Sequence, residues 1–389
     1  MSSPNIILNR FEQNVKKKLI DPFTKLFIII ELFFGVNRLR VFDKVKFVYS
    51  IPVLIYCFCV NAIFSYFVLK LQTDIYVSFI AIVNITSYII NSIWAILSCN
   101  KYQEFFKELK SLDAKFGLNS GIGLPTIKNV VIWGIIIVTY CVATVTAYAL
   151  SYVTISSLYT CIMHTVFTTE LFSYGHLMTL LLRRLHYFKK NVMYCLANDE
   201  AIIHTGKINK REQCRDTTVE EFRRLVLFYH GSIKAFDALN AAIKYQFFVI
   251  LLESFITSIC YWNFFVVIFS SGKMNFQIMP ALILIVFIAT FMPFFSPCHF
   301  ANQIKVEVCI ITDSIRSSLH KLGIYLFIQI FMHKRHAAKL LLSLTNGRTL
   351  SFSLFRMISV DILLPFKILG YITTYLIVIL QFEKVFGSN

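Results

Sequence analysis

The sequence predicts an all-α polytopic membrane protein with seven transmembrane helices, its N-terminus in the cytoplasm and its C-terminus outside the cell. Three observations carry this expectation. The 389-residue chain is 57% hydrophobic and only 15% charged, where an ordinary soluble domain has about a quarter of its residues charged. Apolar runs recur that can cross the hydrocarbon core, which takes about 20 helical residues. Finally, Lys and Arg crowd into alternate connections between those runs.

The N-terminal segment, residues 1–45, opens on polar residues that include Lys16, Lys17 and Lys18. It reads as cytoplasmic, with no cleavable signal peptide. The apolar run 26–36 is short for a span and contains Glu31, so it reads as an interfacial or cytoplasmic packing helix. The spans follow at 46–69, 75–98, 130–150, 158–182, 245–270, 278–300 and 354–382. The last is too long for one crossing and contains Asp361, Pro365, Lys367 and Gly370.

Orientation follows from charge. The N-terminal segment through Lys46 and the second, fourth and sixth connections hold thirty-three Lys and Arg; the other side holds three. Cationic residues are retained on the cytoplasmic side. This distribution accounts for the formal net charge of +17 with no nucleic acid as partner. The connection 183–244 reads as a cytoplasmic helical extension. Within it Phe222, Leu225, Val226, Tyr229, Ile233, Phe236 and Leu239 keep helical spacing. Residues 301–353 behave similarly and read as cytoplasmic anchor helices. The third to sixth helices are therefore expected to continue into the cytoplasm and pack there. Ten cysteines show no CxxC pairing and read as free thiols, with neither a disulfide framework nor a metal site.

Several function classes fit poorly. A G-protein-coupled receptor would place its N-terminus outside and would carry Asp-Arg-Tyr after the third span; neither holds here. An enzyme would need a catalytic cluster among His164, Glu170, His176, Glu253, Asp361 and Lys367. The six-residue spacings of His164, Glu170 and His176 do not put pairs on one helix face for metal ligation, so no catalytic residue, metal or cofactor is expected. A transporter of a small organic solute would bind near mid-bilayer and show broken helices in both halves of the chain. Here only the last segment looks interrupted.

A ligand-gated channel fits better. In the last segment Tyr371, Thr374 or Tyr375, Val378 and Phe382 share one helical face. Copies of that face around an axis would form a pore that is polar inside and apolar near its outer mouth, where a ring can gate by dewetting. The same spacing also describes an ordinary core-facing stripe.

The end of this segment reads Thr374-Tyr375-Leu376-Ile377-Val378-Ile379-Leu380-Gln381-Phe382. It resembles the TYhhhhhQF signature of the insect gustatory receptors, and matches it at every position. That family is related to the insect odorant receptors. The resemblance implies a tastant-gated, nonselective cation channel in the plasma membrane of a sensory neuron dendrite. It also implies a homotetramer or a heteromer with related subunits, with no G protein required. The final helix of each subunit, here 368–382, would line the pore. Val378 and Phe382 would form the constriction, Gln381 would sit beside it, and Thr374 and Tyr371 would lie deeper. Asp361, Pro365 and Lys367 would fall where family members break the last helix in two. A proline there removes a backbone donor and kinks the chain. The ligand pocket would lie in the outer halves of the surrounding helices. The residues expected there are Tyr76, Asn84, Thr144, Tyr148, His164, Thr168, Tyr261, Trp262 and Phe265. Aromatic rings with a few polar tips suit an amphipathic organic ligand. Each of these residues could equally serve helix packing. The outer halves hold one carboxylate, Glu170, and few amides, which favours a bitter or sterol-like plant secondary metabolite over a sugar.

Overall fold

In most soluble helices the buried stripe is apolar and the exposed stripe polar. The helix Ile75–Phe116 (α2) does the reverse along its first half. Its exposed positions there include Phe79, Ile82, Ile89, Ile90, Ile93 and Leu97, while Asn84, Asn91 and Ser98 are buried. A helix that turns apolar side chains outward and polar ones inward is dissolved in lipid. Past Asn100 the pattern flips. Lys101, Glu104 and Lys107 are exposed, while Tyr102, Phe105, Phe106, Leu109 and Leu112 are buried at helical spacing. One continuous helix thus passes from lipid to water. It stops at Gly117, whose φ of +64° is the left-handed cap that glycine adopts without steric cost.

The computed structural model describes residues 22–33, 36, 38, 55–60, 62–63, 65–66, 75–117, 135, 138, 142, 155–205, 211–270, 279–324, 329–348 and 350–386. Besides α2, the helices are Pro22–Phe33 (α1), Ile155–Thr205 (α3), Arg211–Ser270 (α4), Met279–Ile324 (α5), Gln329–Gly347 (α6) and Leu364–Phe386 (α7). Ser353–Leu354 (β1) and Ile358–Ser359 (β2) form an antiparallel hairpin. Three segments among the described residues are long and apolar enough to cross a membrane: Phe79–Phe116, Arg223–Cys260 and Leu364–Phe382. Of the first and third expected spans only scattered helical residues are described, such as 55–60.

Helices α2 to α5 far exceed the length of a crossing. The 60 residues of α4 extend roughly 90 Å at 1.5 Å per residue, about three times the hydrocarbon thickness. The fourth, fifth and sixth expected spans do continue as long helices, the third lies almost wholly outside the described residues, and the second span joins the extended ones, since α2 continues through residues 99–116. By sequence that stretch falls in the second connection, 99–129. Its Phe and Leu positions need a protein surface, and α4 supplies it: α2 and α4 share the most extensive contact in the fold.

Helix α3 is the central one. Every residue from 166 to 181 is buried, enclosed chiefly by α5 and α4. On α5 a stripe of Phe291, Phe294, Cys298, Ala301, Ile304, Val308, Ile311 and Ile315 is buried, spaced by three or four residues. Close approach is set at Gly175, where a Cβ would fall 2.4 Å from Ser296 Oγ. Small residues let membrane helices approach this closely. Helix α1 lies against α3, with the Phe27 ring 6.1 Å from that of His176. The short apolar run therefore is a packing helix, and its Glu31 is buried.

The last segment departs from expectation. The helix does not begin at 354 and break at Pro365; it begins at Leu364. Pro365 occupies the first turn, where its missing N–H leaves no helical bond unmade. Asp361 supports that start: its Oδ1 accepts from the Leu363 amide at 3.1 Å, and its carbonyl accepts from Leu364 at 3.0 Å. Residues 354–359, expected in the last span, belong to the hairpin 353–359. Arg356, counted within that span, stands in its turn.

Candidate functional site

The side chains expected to contact a ligand divide sharply by position. Thr144 and Tyr148 lie outside the described residues. Tyr76, Tyr261 and Phe265 fall on α2 and α4, but their side chains lie outside the description. Trp262 is partly buried against the core. Asn84, His164 and Thr168 are buried.

Helix register places the last three at similar heights in the bundle. Helices α2 and α3 run parallel: Tyr88 meets Phe167, with ring centroids 6.5 Å apart, and further on Asp113 meets Arg184. One turn before the Tyr88–Phe167 contact, Asn84 and His164 therefore stand at the same level, with Thr168 beside Phe167. Helix α4 runs antiparallel to α2: Asn84 pairs with Thr257, Asn91 with Gln246 and Leu112 with Gly231. This register places Glu253 and Thr257 in the layer as well.

The chemistry of the layer centres on Glu253, which is 1% exposed. Ser254 Oγ donates to its Oε2 at 3.2 Å. Thr257 Oγ1 lies 3.1 Å from its Oε1 and 3.3 Å from Asn84 Oδ1. A hydroxyl has one proton to donate, so Thr257 serves one of these acceptors at a time. Asn84 Nδ2 is buried with no hydrogen-bond partner. Among the described residues no Lys or Arg pairs with Glu253. A carboxylate, two hydroxyls and an amide with unused donors thus stand in an apolar surrounding, the composition of a polar recognition point for an organic molecule. Sequence reasoning misses Thr257 and weighs Glu253 only as a member of a candidate catalytic cluster. The signal was legible: a carboxylate inside an apolar run with hydroxyls at i+1 and i+4 marks a polar helix face.

The last helix, α7, is packed only along its first half; from Thr373 to Phe382 no residue is buried. Leu364, Ile368 and Ile372 are buried at four-residue spacing and rest on α4 and α5. Phe366 sets its ring edge-on to Phe295 at 5.3 Å. The face carrying Tyr371, Thr374, Val378, Gln381 and Phe382 is exposed, Tyr371 at 68% and Phe382 at 59%. Thr373 and Thr374 satisfy their hydroxyls on the carbonyls of Leu369 and Gly370, both at 2.9 Å. Lys367 Nζ lies 3.8 Å from Asp361 Oδ2, so both polar residues whose roles the sequence left open stand at the start of α7. Glu170 and His176, weighed as catalytic candidates, are buried on α3; Glu170 accepts from Tyr174 Oη at 3.1 Å.

No family model matches the chain, and no curated protein matches it. Solved structures do. The insect olfactory receptor OR5 from Machilis hrabei, in complex with eugenol, superposes with a TM-score of 0.60 at 13% identity. The match covers 92% of this chain and 97% of that one. A second structure of the same receptor gives a TM-score of 0.58 at 15% identity, with the same coverage. The chain has the fold of an insect olfactory receptor. The likeness spans nearly the whole length of both proteins.

Proposed function

We propose that this chain is a subunit of a chemosensory channel of the insect gustatory type. It would be opened by a small organic tastant and conduct cations nonselectively through the plasma membrane. The observation that carries the proposal is the last helix. It is packed only through its first half, at Leu364, Ile368 and Ile372, and leaves Tyr371, Thr374, Val378, Gln381 and Phe382 exposed. An exposed face of this kind needs other copies around it, and the TYhhhhhQF match lies on the same helix. The fold shared with a receptor solved in complex with eugenol supports a small-molecule stimulus.

In this reading the termini of α7 set the ion path. Tyr371 and Thr374 face the deeper pore, and Val378 and Phe382 form an apolar constriction near the outer mouth that opens by wetting. The layer of Asn84, His164, Thr168, Glu253 and Thr257 recognises the ligand. One carboxylate with one amide suits an amphipathic molecule bearing one or two polar groups. A polyol would need more acceptors and donors. The ligand class is therefore a bitter or other plant secondary metabolite. The basic extensions of α2 to α5, with α6, form the cytoplasmic anchor that holds subunits together.

The test is whole-cell current from cells expressing the chain, exposed to panels of sugars, plant alkaloids and steroids, with Phe382→Ala in parallel. Agonist-evoked cation current with gating altered in Phe382→Ala is the expected result. Stoichiometric, saturable solute flux without channel current would replace the reading with a transporter. A large response to simple sugars with none to lipophilic plant compounds would overturn the ligand class.

A further inference from the structure

Arg38 precedes every predicted span, yet it is 1% exposed and has partners from several elements. Nη1 donates to both carboxylate oxygens of Glu31, each at 2.7 Å. Nη2 donates to Gln246 Oε1 at 3.0 Å and to Tyr174 Oη at 3.3 Å, and lies 3.6 Å from Glu170 Oε1. The guanidinium also lies over the rings of Tyr102 at 5.0 Å and Tyr174 at 5.8 Å. Gln246 in turn donates from Nε2 to the Asn91 carbonyl at 3.3 Å. A single side chain thus joins α1, α3 and α4, and through Gln246 and Tyr102 also α2. Only arginine offers enough donors in one rigid fork for this.

The residues beside Gln246 lead to the other end of the chain. Tyr245 and Phe248 each meet the Phe355 ring edge-on, both at 5.2 Å. Phe355 is the first turn residue of the hairpin that immediately precedes α7. The same stretch of α4 is held from α2 by Trp94, stacked on Tyr245 at 4.2 Å. Arg38 therefore grips α4 beside the seat of the hairpin. Its arms are unequal. The two short bonds to Glu31 lie within the N-terminal segment and keep the buried charge compensated. The arm to Gln246 can let go without stranding a bare cation.

We propose that Arg38 is a releasable restraint: through Gln246 the N-terminal segment holds α4, the 353–359 hairpin and the start of the last helix in their resting arrangement. Its consequence for current rests on the pore reading given above; the restraint itself does not. Such coupling requires a physical element with two arrangements, and the Gln246 arm, made or broken, is that element.

Hydrogen exchange on the purified full-length chain in detergent tests this. Gln246→Met keeps the side-chain length and removes the acceptor. It is expected to speed exchange at residues 353–363 by about tenfold, the loss of one charged hydrogen bond, and to leave 22–33 unchanged. Gln246→Glu, which keeps an acceptor at the same reach, is expected to restore wild-type protection at 353–363. Arg38→Lys, which loses the fork, is expected to speed both regions, and it decides the matter if Gln246→Met does not fold. Unchanged exchange at 353–363 in the variants overturns the proposal. So does uniform acceleration that includes residues 291–315 of α5, because that is plain loss of stability. Resting current raised in Gln246→Met extends the restraint to gating. Wild-type cells with no current at all would remove the channel reading, while exchange at 353–363 would still decide the restraint.

Discussion

Arg184 on α3 holds Asp113 on α2 with two N–H···O bonds, Nε to Oδ1 at 2.9 Å and Nη2 to Oδ2 at 2.5 Å. Its remaining Nη1 donates to its own helix at the Leu180 carbonyl, 2.6 Å away. The pair joins two parallel helices where their surfaces have turned from lipid-facing to water-facing. The Arg184 side chain is only 8% exposed, so this bond is worth more than an ordinary surface ion pair. Asp113→Ala is expected to cost about 2 kcal/mol, seen as a lower melting temperature of the purified chain. Arg184→Lys is expected to recover only part of wild-type stability, because an ammonium cannot bridge both oxygens.

Gly231 marks a close approach of α4 to α2. A Cβ there would lie 2.6 Å from Leu112 Cδ2 and 3.2 Å from its Cγ. Gly231→Ala is expected to destabilise by about 1–3 kcal/mol through overpacking. Leu112→Ala alone also destabilises, by leaving a cavity. The double variant is expected to be more stable than the two costs added together, because the new methyl fills the space left by the leucine. Simple additivity would mean that the two residues do not meet.

The hairpin turn carries consecutive left-handed residues, Phe355 at φ 54° and Arg356 at φ 62°. Non-glycine residues hold this conformation at a cost of about 1–2 kcal/mol each. Arg356 is exposed, and Arg356→Gly is expected to stabilise the folded chain by about 1 kcal/mol. Phe355→Gly gains the same relief but loses the edge contacts to Tyr245 and Phe248. It is expected to be neutral or destabilising. Thermal melts of the two variants side by side separate backbone strain from ring packing.

At the polar layer, Glu253→Gln keeps the shape and removes the charge. Under the proposed function it is expected to shift the agonist concentration for half-maximal current by about tenfold for ligands that donate a hydrogen bond to the carboxylate. Phe382→Ala at the outer end of α7 is expected to raise resting current with little effect on that concentration. If Glu253→Gln and Phe382→Ala moved the same parameter, the division between recognition and gate would be wrong.

Much of the architecture was legible because lipid imposes a simple rule: every backbone group must be satisfied within the segment, so an apolar run becomes a helix. Hence α2, α3, α4, α5 and α7 appear where apolar runs predict helices. The shared face of Tyr371, Val378 and Phe382 follows from helix geometry alone. The boundaries were less legible. Pro365 reads equally as a kink or as a first-turn residue, and the ring contacts of Phe352 with Phe236 at 4.4 Å and of Phe355 with Tyr245 and Phe248, all on α4, decide for a hairpin followed by a helix start. The layer was half visible: Asn84, His164 and Thr168 stood out as polar residues in apolar runs. Their company did not, because Thr257 is 173 residues from Asn84.

What the sequence determined by itself is local: composition, apolar period and the placement of charge, each read within one segment. Which polar residues are buried, and with whom, only the tertiary structure decided. Arg38 looks like one more cation in a basic leader, yet the fold carries it to Gln246, 208 residues away. A buried guanidinium is tolerated only where several helices converge to solvate it. That convergence is set by how α1, α2, α3 and α4 pack together, and no single segment encodes it.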